Sequence, residues 1–305
     1  MVSYYDLSFQ MERDTSVALG YFDGVHLGHQ AVIQASKQCG NLLSAVFTFS
    51  TRTSRPASKP AHAGLMSEAF KESMLEQLGV SCMVCPDFEM FRGLTPEQFV
   101  EQVLCQRMRA KAVYCGYNFH FGRNASGSTD DLKRLGQTYG IEVHVVERLE
   151  RGGEPVSSSR IREEVKSGNM PKARELLGRP FTIDFTVVRG RQLGRTLESP
   201  TINQLIPDYF ILPKFGVYAS TAWVDGAWKP GITNIGIKPT VGSQAPLAET
   251  YIFDYDGDLY GQDIPVRLYE FIRPEKKFDS IDALKTGILR DVQTSRMLLK
   301  EVLQD

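Results

Sequence analysis

The sequence predicts an α/β N-terminal half built on a Rossmann-like parallel sheet, joined to a small antiparallel β-barrel that ends in a helix. Three observations carry this. Up to about Leu177, apolar runs of strand length alternate with stretches of helical periodicity, the pattern of βαβ units. After Leu177-Gly178-Arg179-Pro180 the pattern changes to short alternating strands separated by glycine, proline and aspartate turns. From Ser280 onward, Ile281, Leu284, Ile288, Leu289, Val292 and Leu299 recur at helical intervals. The boundary is therefore placed near Gly178, with one domain over residues 1–180 and a second over 181–305.

In the first half the expected strands are Val17–Leu19, Leu42–Phe49, Ser81–Cys85, Ala112–Cys115 and Glu142–Val146. Ala31–Ala35, Ser67–Gln77, Thr95–Met108 and Thr129–Tyr139 lie between them with helical periodicity. The helix start at Thr95-Pro96-Glu97-Gln98 is especially legible: an N-cap threonine, a proline at the first helical position and a capping-box glutamine. In the second half the expected strands are Thr182–Val188, Gly216–Val224, Ile232–Ile235, Glu249–Phe253 and Ile264–Tyr269.

At 305 residues the chain is long enough for two cores. A formal net charge of −1 gives no global electrostatic case for nucleic acid or for an anionic membrane surface, so any phosphate site must be local. No apolar run approaches membrane-spanning length, and the opening residues lack the pattern of a secretory signal, so a cytoplasmic location is expected. The odd count of five cysteines argues against a disulfide framework. Cys82 and Cys85 form a C-x-x-C, a spacing compatible with redox or zinc chemistry, but their apolar segment reads as a buried strand.

The first expected strand runs directly into Gly20-Tyr21-Phe22-Asp23-Gly24-Val25-His26-Leu27-Gly28-His29. A strand, a glycine-rich turn and a helix N-terminus together make an anion site, because unpaired backbone N–H groups and the helix dipole both face the turn. No glutamate separates the two histidines as zinc-protease chemistry would need, though a generic two-histidine metal reading stays open. Asn118 lies in a glycine-bounded turn after the strand ending at Cys115, and open α/β sheets bind ligands at such carboxyl ends. Ser157-Ser158-Ser159 precede a helix from Arg160, so hydroxyls, free N–H groups and a fixed positive charge converge there. An ordinary serine cap and a turn-forming asparagine would read the same way.

Taken in order, these segments resemble the bacterial bifunctional riboflavin kinase/FAD synthetase family. Gly20 to His29 resembles its first signature, Gly116-Tyr117-Asn118-Phe119-His120-Phe121-Gly122-Arg123 its second, and Val156 to Arg162 its third. In the second half, Gly194-Arg195-Thr196-Leu197 with Pro200-Thr201-Ile202-Asn203 is similar to the kinase motif. It is followed in family order by Gly216-Val217-Tyr218, Asn234 to Thr240 and Asp258-Leu259-Tyr260-Gly261.

The resemblance implies a nucleotidyltransferase domain that adenylylates FMN to FAD with release of pyrophosphate, followed by a riboflavin kinase domain that makes FMN. ATP, riboflavin, FMN and FAD are the implied ligands and Mg²⁺ the implied metal. In the first half His26, His29 and Arg160 would neutralise phosphate charge, with Gly20, Phe22, Gly24, Gly28, Asn118, Ser157, Ser158 and Ser159 around the phosphates. In the second half Gly194, Arg195 and Thr201 would meet ATP phosphates, Thr201 and Asn203 would hold the metal, and Glu249 would be the base. Three departures stand out. Glu198-Ser199 replace a usual Gly-Phe, Ser50-Thr51-Arg52-Thr53 replace a usual Pro-His-Pro, and Lys238 stands where arginine is frequent. The first supports an alternative in which the second half binds flavin but phosphorylates it poorly.

Overall fold

The computed structural model describes residues 1–50, 64–189, 201–237 and 245–302. Packing divides the chain into two compact units, Met1–Ala61 with Glu68–Ser157, and His62–Ser67 with Ser158–Asp305.

In the first unit, β1 (Val2–Tyr4), β2 (Thr15–Leu19), β3 (Leu43–Phe47), β4 (Cys82–Val84), β5 (Ala110–Gly116) and β6 (Glu142–Val146) form one sheet. Its order is β1-β4-β3-β2-β5-β6, and every pairing is parallel. Both faces of the central strands are covered, which is why Val17, Ala18, Ala45, Val113 and Cys115 are all fully buried. The chain leaves β2 through α1 (Leu27–Ser36) toward β3 and, through α2 (Glu68–Gln77), reaches β4. It then returns to the other side of β2 to lay down β5, α4 (Thr129–Tyr139) and β6. The strand order thus reverses between β2 and β5, and ligands of open α/β sheets bind outside the carboxyl ends of strands at such a point.

The helix expected over Thr95–Met108 has two parts. The capping box closes as predicted around α3 (Pro96–Gln98), with Thr95 and Gln98 bonding each other's backbone N–H. Beyond it, Phe99–Arg107 continues in the wider π register, ending with the Met108 amide on the Val103 carbonyl. The wider turn keeps Phe99, Val100, Val103 and Leu104 all inward against β5 and the phenylalanines 47, 91 and 121. The short pair β7 (Glu150–Arg151) and β8 (Glu154–Pro155) completes this unit.

The second unit opens with α5 (Ser158–Ser167) and α6 (Met170–Leu177). The sequence pattern groups these helices with the first domain, whereas Met170, Ala173, Leu176 and Leu177 of α6 are buried and the helix lies on second-unit strands. Those strands are β9 (Phe181–Ile183), β10 (Val187–Val188), β11 (Thr201–Leu205), β12 (Gly216–Val224), β13 (Ala227–Ile237), β14 (Pro246–Ile252) and β15 (Val266–Arg273). They pair antiparallel throughout in the order β10-β11-β14-β13-β12-β15-β9, a curled sheet in place of the parallel one. The expected strand Thr182–Val188 divides into β9 and β10, and β11 is a strand that alternation alone does not announce. Asp225 and Gly226, with φ of 52° and 75°, make the two-residue turn between β12 and β13 that an Asp-Gly pair favours.

The terminal helix α7 (Ile281–Val302) is clamped onto this sheet. Ile288 and Val292 pack on Val217, Ile232 and Phe253, and Ser295 Oγ donates to the Gly231 carbonyl at 2.8 Å. The Arg273 guanidinium forks onto Asp291, with Nε donating to Oδ1 at 2.9 Å and a terminal nitrogen to Oδ2 at 2.7 Å. Asp291 is only 4% exposed. Asp291→Ala should therefore strand a partly buried guanidinium and cost about 3 kcal/mol. A chemical-denaturation curve of the full chain should show this as an earlier unfolding midpoint.

Candidate active site

In the first unit the candidate site is built at the carboxyl ends of β2 and β5. Leu19 and Cys115 are paired neighbours, so the segments that follow them leave the sheet side by side. After β2 the backbone enters a turn in which Phe22 (φ 52°), Gly24 (φ 83°) and Val25 (φ 37°) all take the left-handed region. A β-branched valine there is a genuine outlier. It is held because Phe22 and Val25 are buried to 1% and 0% exposure, the Val25 amide donates to the Phe22 carbonyl, and Gln30 Nε2 donates to the Val25 carbonyl. The Phe22 ring lies back over Gly20. Three left-handed residues within four positions fold the backbone back on itself between β2 and α1.

The turn delivers His26 as the N-cap of α1, which starts at Leu27, earlier than the periodicity of Ala31–Ala35 indicates. His26 Nδ1 accepts the His29 amide at 3.2 Å. That bond leaves Nδ1 without a proton and assigns the hydrogen to Nε2, so His26 is a donor on its outer edge. The two imidazoles stack with centroids 3.5 Å apart, and the Phe22 ring meets His29 edge-on at 5.3 Å. Gly28 is the close-approach position: a Cβ there would lie 3.2 Å from the His26 ring and 3.6 Å from the Val156 carbonyl. This proximity brings the segment ending in Ser157 against the histidine turn. Asn118 is exposed in the turn after β5, with its carbonyl 3.1 Å from His120 Nδ1.

Gly20, Phe22, Gly24, His26, Gly28, His29, Asn118 and Ser157 are thus placed within one unit around the β2 and β5 ends. Ser158, Ser159 and Arg160 form the first turn of α5, which belongs to the second unit. Lys71 went unmarked in the sequence although 6% exposed on the inward face of α2 with Leu75, the signal being a lysine at an apolar helical spacing.

The second unit holds another polar constellation. Asn203 on β11 is the register partner of Glu249 on β14, which in turn is the partner of Asn234 on β13. Directly opposed residues share a face, as do residues two apart on one strand, so Thr201, Asn203, Glu249 and Asn234 line one face across three strands. Tyr251 and Ile232 continue that face under α7. Asn203 is 5% exposed with Nδ2 toward the Thr201 carbonyl at 3.4 Å, while Glu249 is half-buried. Asn234 Nδ2 donates to Glu275 Oε1 at 3.3 Å, a neighbour that sequence spacing did not reveal. Gly194 and Arg195 lie outside the described residues, as do Arg52, Glu198, Ser199 and Lys238. Among the described residues no group of three or more His, Cys, Asp or Glu side chains is gathered to hold a metal. Cys82 and Cys85 are both buried, and burial pushes the Cys82 thiol up to about 11, which suppresses the thiolate that redox or metal chemistry needs.

The geometry defines a two-part protein: a nucleotidyltransferase-type α/β unit with a left-handed turn between strand and helix, and a curled β-sheet unit with a carboxylate beside hard-oxygen side chains. Residues 8–160 match the family model of FAD synthetase, and residues 177–299 match that of riboflavin kinase. The bifunctional riboflavin kinase/FMN adenylyltransferase of Listeria monocytogenes is 34% identical over 287 residues, covering 92% of this chain and 91% of its own. Its namesake in Escherichia coli K12 is 34% identical over 298 residues, covering 96% and 95%. The Bacillus subtilis enzyme of the same name is 35% identical over 291 residues, covering 91% and 90%. The chain belongs to the bifunctional riboflavin kinase/FMN adenylyltransferase family. A Streptococcus pneumoniae chain crystallised as a macrolide-efflux protein has the same fold, with a TM-score of 0.84 and 29% identity over 97% of this chain and 98% of its own. No helix among the described residues is long and apolar enough to cross a membrane.

Gly24→Ala would force a Cβ into φ 83° and should cost about 1 kcal/mol or more. Urea unfolding and nucleotide-binding calorimetry on one preparation should show both a lower midpoint and weaker ATP binding.

Proposed function

We propose that this chain converts riboflavin to FMN and FMN to FAD, consuming one ATP at each step. For the second step the supporting observation is the left-handed turn capped by His26, with Asn118 and Ser157 beside it at the strand-order reversal. The FMN phosphate attacks the α-phosphorus of ATP, the bond to the bridging oxygen breaks, and pyrophosphate leaves with the electron pair. No nucleophilic side chain is required, because positioning and charge stabilisation carry the barrier reduction. The turn's N–H groups and the α1 dipole bind phosphate oxygens. His26 donates through Nε2, and His29, stacked on it, adds a second donor. Ser157 adds a phosphate contact from the same unit, and Ser158, Ser159 and Arg160 are assigned to ATP phosphates.

For the first step, Glu249 accepts the proton of the terminal ribityl hydroxyl as that oxygen attacks the γ-phosphorus of ATP, and ADP leaves. Register places Asn203 and Asn234 on either side of Glu249, where their amides orient the hydroxyl and the phosphates. Gly194 and Arg195 are assigned to ATP phosphates. Thr201 and Asn203 offer neutral hard-oxygen donors, the kind that suit Mg²⁺, and would hold it together with phosphate oxygens. Bound there, the ion would neutralise charge on the transferring phosphoryl group. A cytoplasmic setting, with its supply of ATP, fits both steps.

Incubation of the purified chain with riboflavin, ATP and Mg²⁺, followed by chromatography, should yield FMN and then FAD; absence of both would overturn the proposal. FAD from supplied FMN but no phosphorylation of riboflavin would favour the reading in which the second unit only binds flavin. His29→Ala should lower FAD formation from FMN by roughly 100-fold, the scale of a lost transition-state donor, while FMN formation persists. Glu249→Gln should show the converse, with riboflavin phosphorylation falling about 100-fold and FMN adenylylation retained.

A further inference from the structure

Lys71 is a buried cation that none of the roles above uses. It lies on α2, 6% exposed, and its Nζ donates to the Tyr21 carbonyl at 3.2 Å while lying 4.9 Å from the centre of the Tyr21 ring. The same carbonyl accepts Thr48 Oγ1 at 2.9 Å, and the Tyr21 ring packs on Phe49 with centroids 4.9 Å apart. No carboxylate among the described residues stands within ion-pair distance of Nζ. An ammonium carries three donors, and here a neutral carbonyl satisfies one. Burying such a charge without a counter-charge is costly, and an apolar side chain of similar length would fill the space more cheaply. Tyr21 is the residue immediately before Phe22, where the left-handed turn begins. The charge is therefore fixed against the residue that leads into the left-handed turn, with no counter-charge among the described residues.

We propose that Lys71 is a substrate-binding residue for adenylyl transfer, its ammonium anchored on the Tyr21 carbonyl so that the remaining N–H groups receive a phosphate of the incoming ligands. This rests on the reading of the first unit as the adenylylation site. Two ligands of that reaction carry the required chemistry, the polyphosphate of ATP and the phosphate of FMN.

The test uses the full chain with Lys71→Met and Lys71→Arg. FAD formation is measured with ATP and FMN varied separately, and riboflavin phosphorylation and thermal unfolding are measured on the same preparations. Lys71→Met should raise KM for ATP or for FMN by about 10-fold or more, the worth of one charge-assisted hydrogen bond, and the substrate affected identifies the phosphate. Its melting temperature should hold or rise, because an uncompensated buried charge has been removed. Riboflavin phosphorylation should not change, and Lys71→Arg should recover most of the lost affinity. KM values for both substrates within two-fold of the parent would overturn the proposal. So would a fall in melting temperature with kcat reduced and both KM values unchanged, which would make the lysine only a brace for the turn. His29→Ala separates the two levels: if FAD formation survives that change, the site assignment itself is wrong, whereas its loss beside an unaffected Lys71→Met overturns the lysine alone.

Discussion

A stretch of backbone forced into the left-handed region at Phe22, Gly24 and Val25 is the constraint on which the first unit turns. Only glycine accepts that conformation without cost, and strain of about 1–3 kcal/mol per residue persists only where the surroundings over-determine it. Here those surroundings are the parallel sheet, which buries Val17 to Leu19 and fixes where the turn begins, and the start of α1, whose first residues fix where it ends. His26 links the two requirements, since the ring nitrogen that caps the helix is also the one that orients its outer edge. The turn's shape is thus a property of the core as much as of the histidines, and loosening the core would relax it.

In the second unit strand register plays the corresponding part. Asn203, Glu249 and Asn234 come from three strands separated in sequence and share a face only because β11, β14 and β13 pair in one register. A slip of one residue would send them to the opposite face, where Gln204, Thr233 and Thr250 already form a buried polar layer. Thr233 Oγ1 donates to Ser220 Oγ at 2.8 Å within that layer, so the interior face has its own hydrogen-bonding demand that rejects the slipped arrangement.

Much of this was legible in the residues. Thr95 to Gln98 announced a capping box that forms as written, and the Gly20 to His29 segment announced a turn from strand to helix, which forms with His26 as the N-cap. Where sequence reading stopped short, a non-local cause is identifiable. The edge strand β1 has too few residues for alternation and exists because β4 offers it a parallel partner. β11 reads as polar because Asn203 and Gln204 are both interior to the pairing, one toward the carboxylate row and one toward the carbonyls of Phe185 and Ile264. Lys71 carries no mark in the sequence, since periodicity weighs residue type and a buried lysine contradicts its type. Asn234 lies within a motif, but its place opposite Glu249 depends on a pairing that no local pattern encodes.

The segment ahead of α2 carries a consequence for how the molecule is made. Gly64 donates to the Tyr209 carbonyl and accepts from Ile211, and Ser67 hydrogen-bonds Asp184, so these residues belong to the second unit although they interrupt the sequence of the first. No single cut then yields two complete pieces. A C-terminal fragment would expose the backbone groups around Tyr209 and leave the buried Asp184 carboxyl, already raised by desolvation, without its serine donor. During synthesis on the ribosome the early segment must wait for strands that emerge more than a hundred residues later. Maturation of the second unit is thereby tied to the short early segment around Gly64 and Ser67, a dependence carried by chain connectivity.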